Sequence, residues 1–222
     1  MRINSLELQT VNLEIQCEFY RDTLDLPVEL VGEKLCVRAG WTDLTFVPSS
    51  SDNAPLYHFA FNIPENQFDA ALEWTAQRAG ILADQAGETI FLSESWNSIS
   101  LYFKDPAGNI LEFIARRDLR NSASGAFGSQ HILCVSEIGL AAEDVPGLVD
   151  QLQNRLGISP FKGERSDTFT AVGDDEGLFI VVQRGRIWRP DTGVLAELLP
   201  VKAEIQAGDS NFVVRGMPYE IS

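Results

Sequence analysis

The chain is poor in most of the residues and patterns that would declare a role directly. It has three cysteines in 222 residues, Cys17, Cys36 and Cys134, widely spaced and without a CxxC pair. That excludes a disulfide framework and a zinc cluster and fits reduced thiols. There are only two histidines, His58 and His131. Basic residues are scarce: 17 Lys and Arg stand against 32 Asp and Glu, a formal charge of -15. Such a charge repels phosphate backbones and anionic membrane surfaces, so neither nucleic acid nor a membrane is expected as a partner. No apolar run approaches the roughly 20 residues that span a bilayer. The opening MRINSLELQTVNLE alternates polar and apolar residues where a signal peptide needs an unbroken apolar stretch, so a cytoplasmic protein is expected. The nucleophile-elbow, dinucleotide-fingerprint and P-loop signatures are missing, which removes support for those chemistries.

What is present is a core-forming composition, 45% hydrophobic and 22% charged, and an internal repeat. Three segments open with an alternating strand and run into an amphipathic helix: Ile3 to Thr10 then Leu13 to Thr23, Tyr57 to Ile63 then Gln67 to Arg78, and Ser136 to Ala142 then Val145 to Leu156. Short strands separated by turn residues follow each helix. In the first unit these are Val28 to Val31, Lys34 to Arg38 and Asp43 to Val47; in the second Glu88 to Leu92, Ser98 to Lys104 and Ile110 to Arg116; in the third Pro160 to Lys162, Thr168 to Val172 and Leu178 to Gln183. The pattern is β-α-β-β-β three times, an α+β fold of curved mixed sheets around a cleft. Asp105-Pro106-Ala107-Gly108-Asn109 reads as a turn between two strands, and so does Gly173 to Gly177. Small and polar residues from 118 to 129 read as a linker. Residues 1–117 are then a paired two-unit module, and residues 130–222 a third unit with extra strands at Lys202 to Gln206 and Phe212 to Arg215, either an edge extension or a truncated fourth unit.

The repeat, with Phe19-Tyr20-Arg21-Asp22-Thr23-Leu24 before Leu26-Pro27 and Lys104-Asp105-Pro106-Ala107-Gly108-Asn109-Ile110-Leu111-Glu112-Phe113 at the last hairpin of the second unit, resembles the vicinal oxygen chelate superfamily. That superfamily includes glyoxalase I, extradiol dioxygenases and bleomycin-binding proteins. The resemblance implies two units enclosing a cleft, with a divalent metal held by the first and fourth strands of each unit in the enzyme members. Carried over position by position, the ligands are Asp43, His58 and Glu112, while Ser5 stands where a His or Gln is usual. Alternation agrees: Tyr57, Phe59, Phe61 and Ile63 share one face, leaving His58, Ala60 and Asn62 on the other, and Glu112 opposes Leu111 and Phe113. Ser5, Glu7 and Gln9 share the cleft side of the first strand, and Thr45 that of the fourth. The third unit has Glu137 on its first strand but Phe179 where an acid would be needed, so it is expected to pair with the C-terminal strands, cover the cleft or make an oligomer contact.

One imidazole and two carboxylates suit Mn, Fe, Co, Ni or Zn. On this reading the protein is a divalent-metal-dependent lyase or isomerase acting on a small oxygenated molecule, with Glu112 and Glu7 as catalytic residues and Ser5, Gln9, Thr45, Asn62 and Tyr102 lining the substrate cleft. Two alternatives stand beside it. One is a metal-free protein that binds a small ligand by apolar contacts. The other is an extradiol-type dioxygenase, disfavoured because Ser5 removes one of the two His that reaction uses. Whether the site is built within one chain or across a homodimer is left open. His131 is expected to have no catalytic role, and Trp41, Trp74, Trp96 and Trp188 to be core or rim packing.

Overall fold

The computed structural model describes residues 1–49, 54–191, 193–217 and 219–222. The first unit comprises β1 (Arg2–Thr10), α1 (Leu13–Glu18), which widens into a π-turn over Phe19–Thr23, β2 (Val28–Val31), β3 (Lys34–Ala39) and β4 (Thr42–Pro48). The second comprises β5 (His58–Ile63), α2 (Phe68–Ala76), β6 (Phe91–Ser93), β7 (Ser98–Lys104) and β8 (Ile110–Arg116). The third comprises β9 (Cys134–Ala142), α3 (Val145–Leu156), β10 (Phe169–Asp174) and β11 (Gly177–Gln183), and β12 (Val201–Ala207), β13 (Ser210–Gly216) and β14 (Tyr219–Ile221) close the chain. The segment Pro160 to Lys162, expected as a strand, is instead a short turn that touches β10 through a single bridge from Pro160 to Val172. Among the described residues no helix is long and apolar enough to cross a membrane.

Local chemistry explains the helices. Asn12 caps α1 by accepting from the backbone N–H groups of Glu14 and Ile15, and Asp144 caps α3 by accepting from Gly147. Gly157 ends α3 in the left-handed conformation. In α3 the buried stripe is Val145, Leu148, Val149, Leu152 and Leu156, as the helical period requires.

The strands form two seven-stranded sheets, ordered β14-β13-β12-β1-β4-β3-β2 and β10-β11-β9-β5-β8-β7-β6. The repeat holds, since β5 and β8 are parallel neighbours in one sheet. The pairing of units differs from the expected one. Units one and two do not share a sheet: β5 pairs antiparallel with β9 of unit three, and β1 pairs antiparallel with β12 of the tail. The tail is therefore the strand part of a fourth unit without its helix, and the order is nested, two with three and one with four. Edge propensities fit this arrangement. β5, β8, β9 and β11 are almost wholly buried and carry near-continuous apolar runs, whereas β1, β4 and β12 alternate between core and solvent. One core, with Leu6, Leu8 and Phe46 from the first sheet and Phe59, Phe113, Ile138 and Phe179 from the second, joins both. The opposite face of the second sheet has a separate apolar cluster that includes Tyr102, Ile180, Val182 and Trp188.

The turn at 105–109 does more than reverse the chain. Buried Asp105 accepts hydrogen bonds from Gln16 Nε2 (2.8 Å), Tyr20 Oη (3.2 Å), the Asn109 backbone N–H (3.0 Å) and Asn109 Nδ2 (2.7 Å), tying α1 and its π-turn to the second sheet. Deleting an acceptor shared by four buried donors leaves those donors unsatisfied, at about 1–3 kcal/mol for a group so exposed to desolvation. Asp105→Ala is expected to lower stability by at least about 2 kcal/mol, read by urea unfolding. A loss below about 0.5 kcal/mol would show that the network is dispensable.

Candidate metal centre and its cavity

His58, Glu112 and Glu137 project from β5, β8 and β9 onto the face of the second sheet away from the shared core, and their ligand atoms all lie within 4.8 Å of one another. Each is there for a local reason. In β5, Phe59 and Phe61 enter the core, so His58 takes the other face. In β8 the parallel register sets Glu112 beside Ala60, one pleat beyond His58. In β9 a bulge is decisive. Ala60 faces Glu137 but Phe61 faces Val135, so Ser136 is an extra residue that shifts the alternation and turns Glu137 toward His58 while Val135 and Ile138 both stay in the core.

The Nδ1 of His58 lies 3.2 Å from the Ile110 carbonyl, which makes Nδ1 the protonated nitrogen and leaves the Nε2 lone pair facing the carboxylates. Nε2 is 3.7 Å from Glu112 Oε2 and 4.0 Å from Glu137 Oε2, too long for hydrogen bonds and within the roughly 4.0–4.4 Å span of two bonds to a common cation. Burial holds the imidazole neutral, with its pKa lowered to about 4. Burial, and then the charge of Glu137, pushes the Glu112 carboxyl up to about 8, while the hydroxyls of Ser100 and Tyr102 oppose that rise. Burial raises Glu137 as well, against the attraction of Arg116. Arg116, fully buried at the end of β8, forms an ion pair with Glu137, donates to Asn62 Oδ1 (3.2 Å) and lies over the rings of Trp96 (5.5 Å) and Phe161 (5.6 Å).

These groups open onto a cavity of about 310 Å³ whose walls include Phe91, Trp96, Tyr102, Ile114, Ile180 and Trp188. The segment after β11 supplies Trp188, whose ring centroid is 5.0 Å from that of His58. Trp188 rests on Gly139, where a Cβ would stand 2.5 Å from the indole.

The arrangement both keeps and corrects the sequence expectations. His58 and Glu112 come together and Tyr102 lines their cavity. Asp43 does not join them: it lies in the other sheet, exposed and paired with Arg38 at 2.5 Å. Ser5, Glu7, Gln9 and Thr45 are in that sheet too, and Glu7 is paired with Lys34 at 2.7 Å, so it is no proton shuttle for His58. With Ser5 as the counterpart of His58, the register sets Thr45 in the place of Glu112 and Lys202 in that of Glu137, none of them metal donors of comparable strength. Asn62 is not among the residues that line the cavity; it donates to the Asp175 carbonyl (2.8 Å) and accepts from Arg116. In unit three the counterpart of Glu112 is Ile180, which pairs with Gly139 and lines the cavity, and Phe179 is in the core. Glu137 was legible as a first-strand acid; what alternation alone could not reveal was that its strand lies beside β5. His131 stacks on Phe127 at 5.6 Å, remote from these groups. Trp96 and Trp188 are cavity walls, while Trp74 packs against Phe127.

Because the indole occupies the space above Gly139, Gly139→Ala is expected to displace Trp188 from His58. The expected signature is a shifted tryptophan emission maximum and a Tm lower by several degrees. Unchanged emission and Tm would mean that the segment carrying Trp188 yields without cost.

No protein-family model and no curated protein matches the chain. Solved structures do. A candidate dioxygenase from Bacillus subtilis subsp. subtilis str. 168 aligns over 97% of this chain and 81% of its own with a TM-score of 0.63 at 14% identity. Glyoxalase I from Zea mays aligns over 82% of this chain and 66% of its own with a TM-score of 0.51 at 12% identity. At such identities the likeness is one of fold, and with the β-α-β-β-β units paired edge to edge around an acid-lined cavity it is specific: the chain has the vicinal oxygen chelate fold.

Proposed function

We propose that the chain is a divalent-metal-dependent enzyme, a lyase or isomerase acting on a small oxygenated molecule, with the metal on His58, Glu112 and Glu137. The observation that carries this reading is the convergence of three buried donors within 4.8 Å in an apolar cavity. The donor set fits a cation. Two buried carboxylates with one Arg between them leave negative charge that is costly in a low-dielectric site, and His58 already offers its unprotonated nitrogen. One imidazole and two carboxylates suit Mn, Fe, Co, Ni or Zn. A bound cation of this kind supplies Lewis acidity toward a substrate oxygen. The chain's own residues do the rest. Ile110 fixes the His58 tautomer, Arg116 holds Glu137 in place, Trp188 and the other aromatic walls exclude water, and Glu112 is the carboxylate placed to take a proton from a substrate bound beside His58. An extradiol reaction is less well served, because only one imidazole is among the donors.

The Arg116–Glu137 ion pair favours a second reading, a metal-free binding protein, since it already neutralises one acid. Elemental analysis of untagged protein decides between them. Near-stoichiometric metal is expected, lost in His58→Ala and Glu112→Ala and unaffected by Asp43→Ala or Ser5→His. An added cation at 100 times its Kd should raise stability by about 2.7 kcal/mol. Metal-free protein that Mn²⁺, Ni²⁺ and Zn²⁺ all fail to stabilise would leave the second reading.

The raised carboxyl gives a separate expectation for metal-free protein. A carboxyl lifted from its ordinary 4.5 to about 8 contributes stability that is fully present below pH 4.5 and is lost as pH rises through 8. Glu112→Gln, which keeps the neutral form, should flatten the decline in Tm between pH 6 and 9. The variant should be at least as stable as the parent at pH 9, with His58, Glu137, Tyr102 and Arg116 around it unchanged. A variant less stable than the parent at pH 9 would contradict the assignment.

A further inference from the structure

The cavity has two cations at its mouth that the metal reading does not use. Arg186 and Arg189, from the segment after β11, are exposed and line the same cavity as His58 and Glu112. In a chain with nearly twice as many acids as bases, neither forms an ion pair among the described residues, whereas Arg184, two residues earlier, is held by both Glu143 and Glu197 at 3.0 Å. Arg186 lies over the Phe169 ring, 5.3 Å from its centroid, so its planar fork is oriented beside an aromatic wall. The body of the cavity is aromatic and apolar, with rings from β6, β7, β10 and the segment after β11. At roughly 30 Å³ for each water in the liquid, about 310 Å³ accommodates a ligand of about ten non-hydrogen atoms.

We infer that the cavity selects a small, flat, largely apolar carboxylate, its ring against the aromatic walls and its carboxylate on Arg186 and Arg189. The physical grounds are direct. Guanidinium forks match carboxylates in two parallel hydrogen bonds, and cations without a carboxylate partner at the mouth are free to make them. The inference deepens the enzyme reading and rests on it only for the role of the far end of the ligand, which faces His58, Glu112 and Glu137.

The test uses phenylacetate and its neutral isostere phenylacetamide, each with about the right number of atoms, against purified protein, with and without added Mn²⁺ or Ni²⁺. Binding is followed by tryptophan fluorescence and by ligand-observed NMR. Phenylacetate is expected to bind at least tenfold more tightly than the amide, and the gap should shrink below threefold in Arg186→Gln/Arg189→Gln and reverse in Arg186→Glu/Arg189→Glu. Arg155→Gln, an exposed arginine on α3, is the control and should keep the gap. Equal binding of acid and amide, or a gap that survives in the double variants, overturns the inference. So does a gap that disappears only when metal is withdrawn, since the carboxylate would then sit on the metal. A tenfold gap that depends on the two arginines in protein that takes up no metal supports the inference while removing the enzyme reading, so the two fail separately.

Discussion

The antiparallel pairing of β5 with β9, and the extra residue at Ser136 within it, is the constraint on which the site depends. Without the bulge, strict alternation would put Glu137 and Val135 on the same face, and either the carboxylate would enter the core or Val135 would enter the cavity. With it, Val135 and Ile138 both reach the core and Glu137 alone reaches His58. A one-residue shift of register would reverse every side chain of the strand. Continuous packing on the core side, through Phe59, Phe61, Ile138 and Leu140, is what holds the register.

Electrostatics in the site follow from that geometry. Bringing a second buried carboxylate beside Glu112 would be prohibitive in isolation, and Arg116 is placed to make it tolerable. It occupies the next cavity-side position but one after Glu112 on β8, and its planar guanidinium lies against the rings of Trp96 and Phe161, a stacking that the compact ammonium of a lysine would not reproduce. The result is a site in which burial favours a protonated Glu112, and on the proposed metal reading a cation would displace that proton. Structural stability and chemical readiness are thus set by the same three charged groups.

Much of this was legible in the sequence, and the misplaced ligands share one source. The helices, the 105–109 turn and the faces of β5 and β8 follow from local periodicity and turn chemistry, which depend on neighbours in sequence. The partner of each sheet edge does not. Reading Asp43 as a ligand assumed that the first unit lies beside the second, and its alternation with Leu44 and Phe46 is satisfied equally well in either sheet. One clue was available. ILEFIAR, CVSEIGLAA and GLFIVVQ are apolar with little alternation, while RINSLELQT and VKAEIQA alternate cleanly. Strands buried on both faces belong together, which assigns units two and three to one sheet. The role of Arg116 was hidden for another reason, since a lone basic residue at a strand end carries no periodic signal.

The nested order also sets a schedule for assembly. The second sheet is made from a continuous stretch of chain, from β5 to β11, and every pairing in it closes a modest loop. The first sheet joins β1 to β12, across nearly the whole chain. Loop closure grows only slowly more costly with length, but β12 must have been synthesised before it can pair. During translation β1 therefore has β4 on one side and an open edge on the other until the ribosome has made almost everything else. The solvated, alternating character of β1 and β4, with Glu7, Lys34, Arg38 and Asp43 on the outer face, is then a safeguard during that interval, because a charged face discourages the edge from recruiting a neighbouring chain.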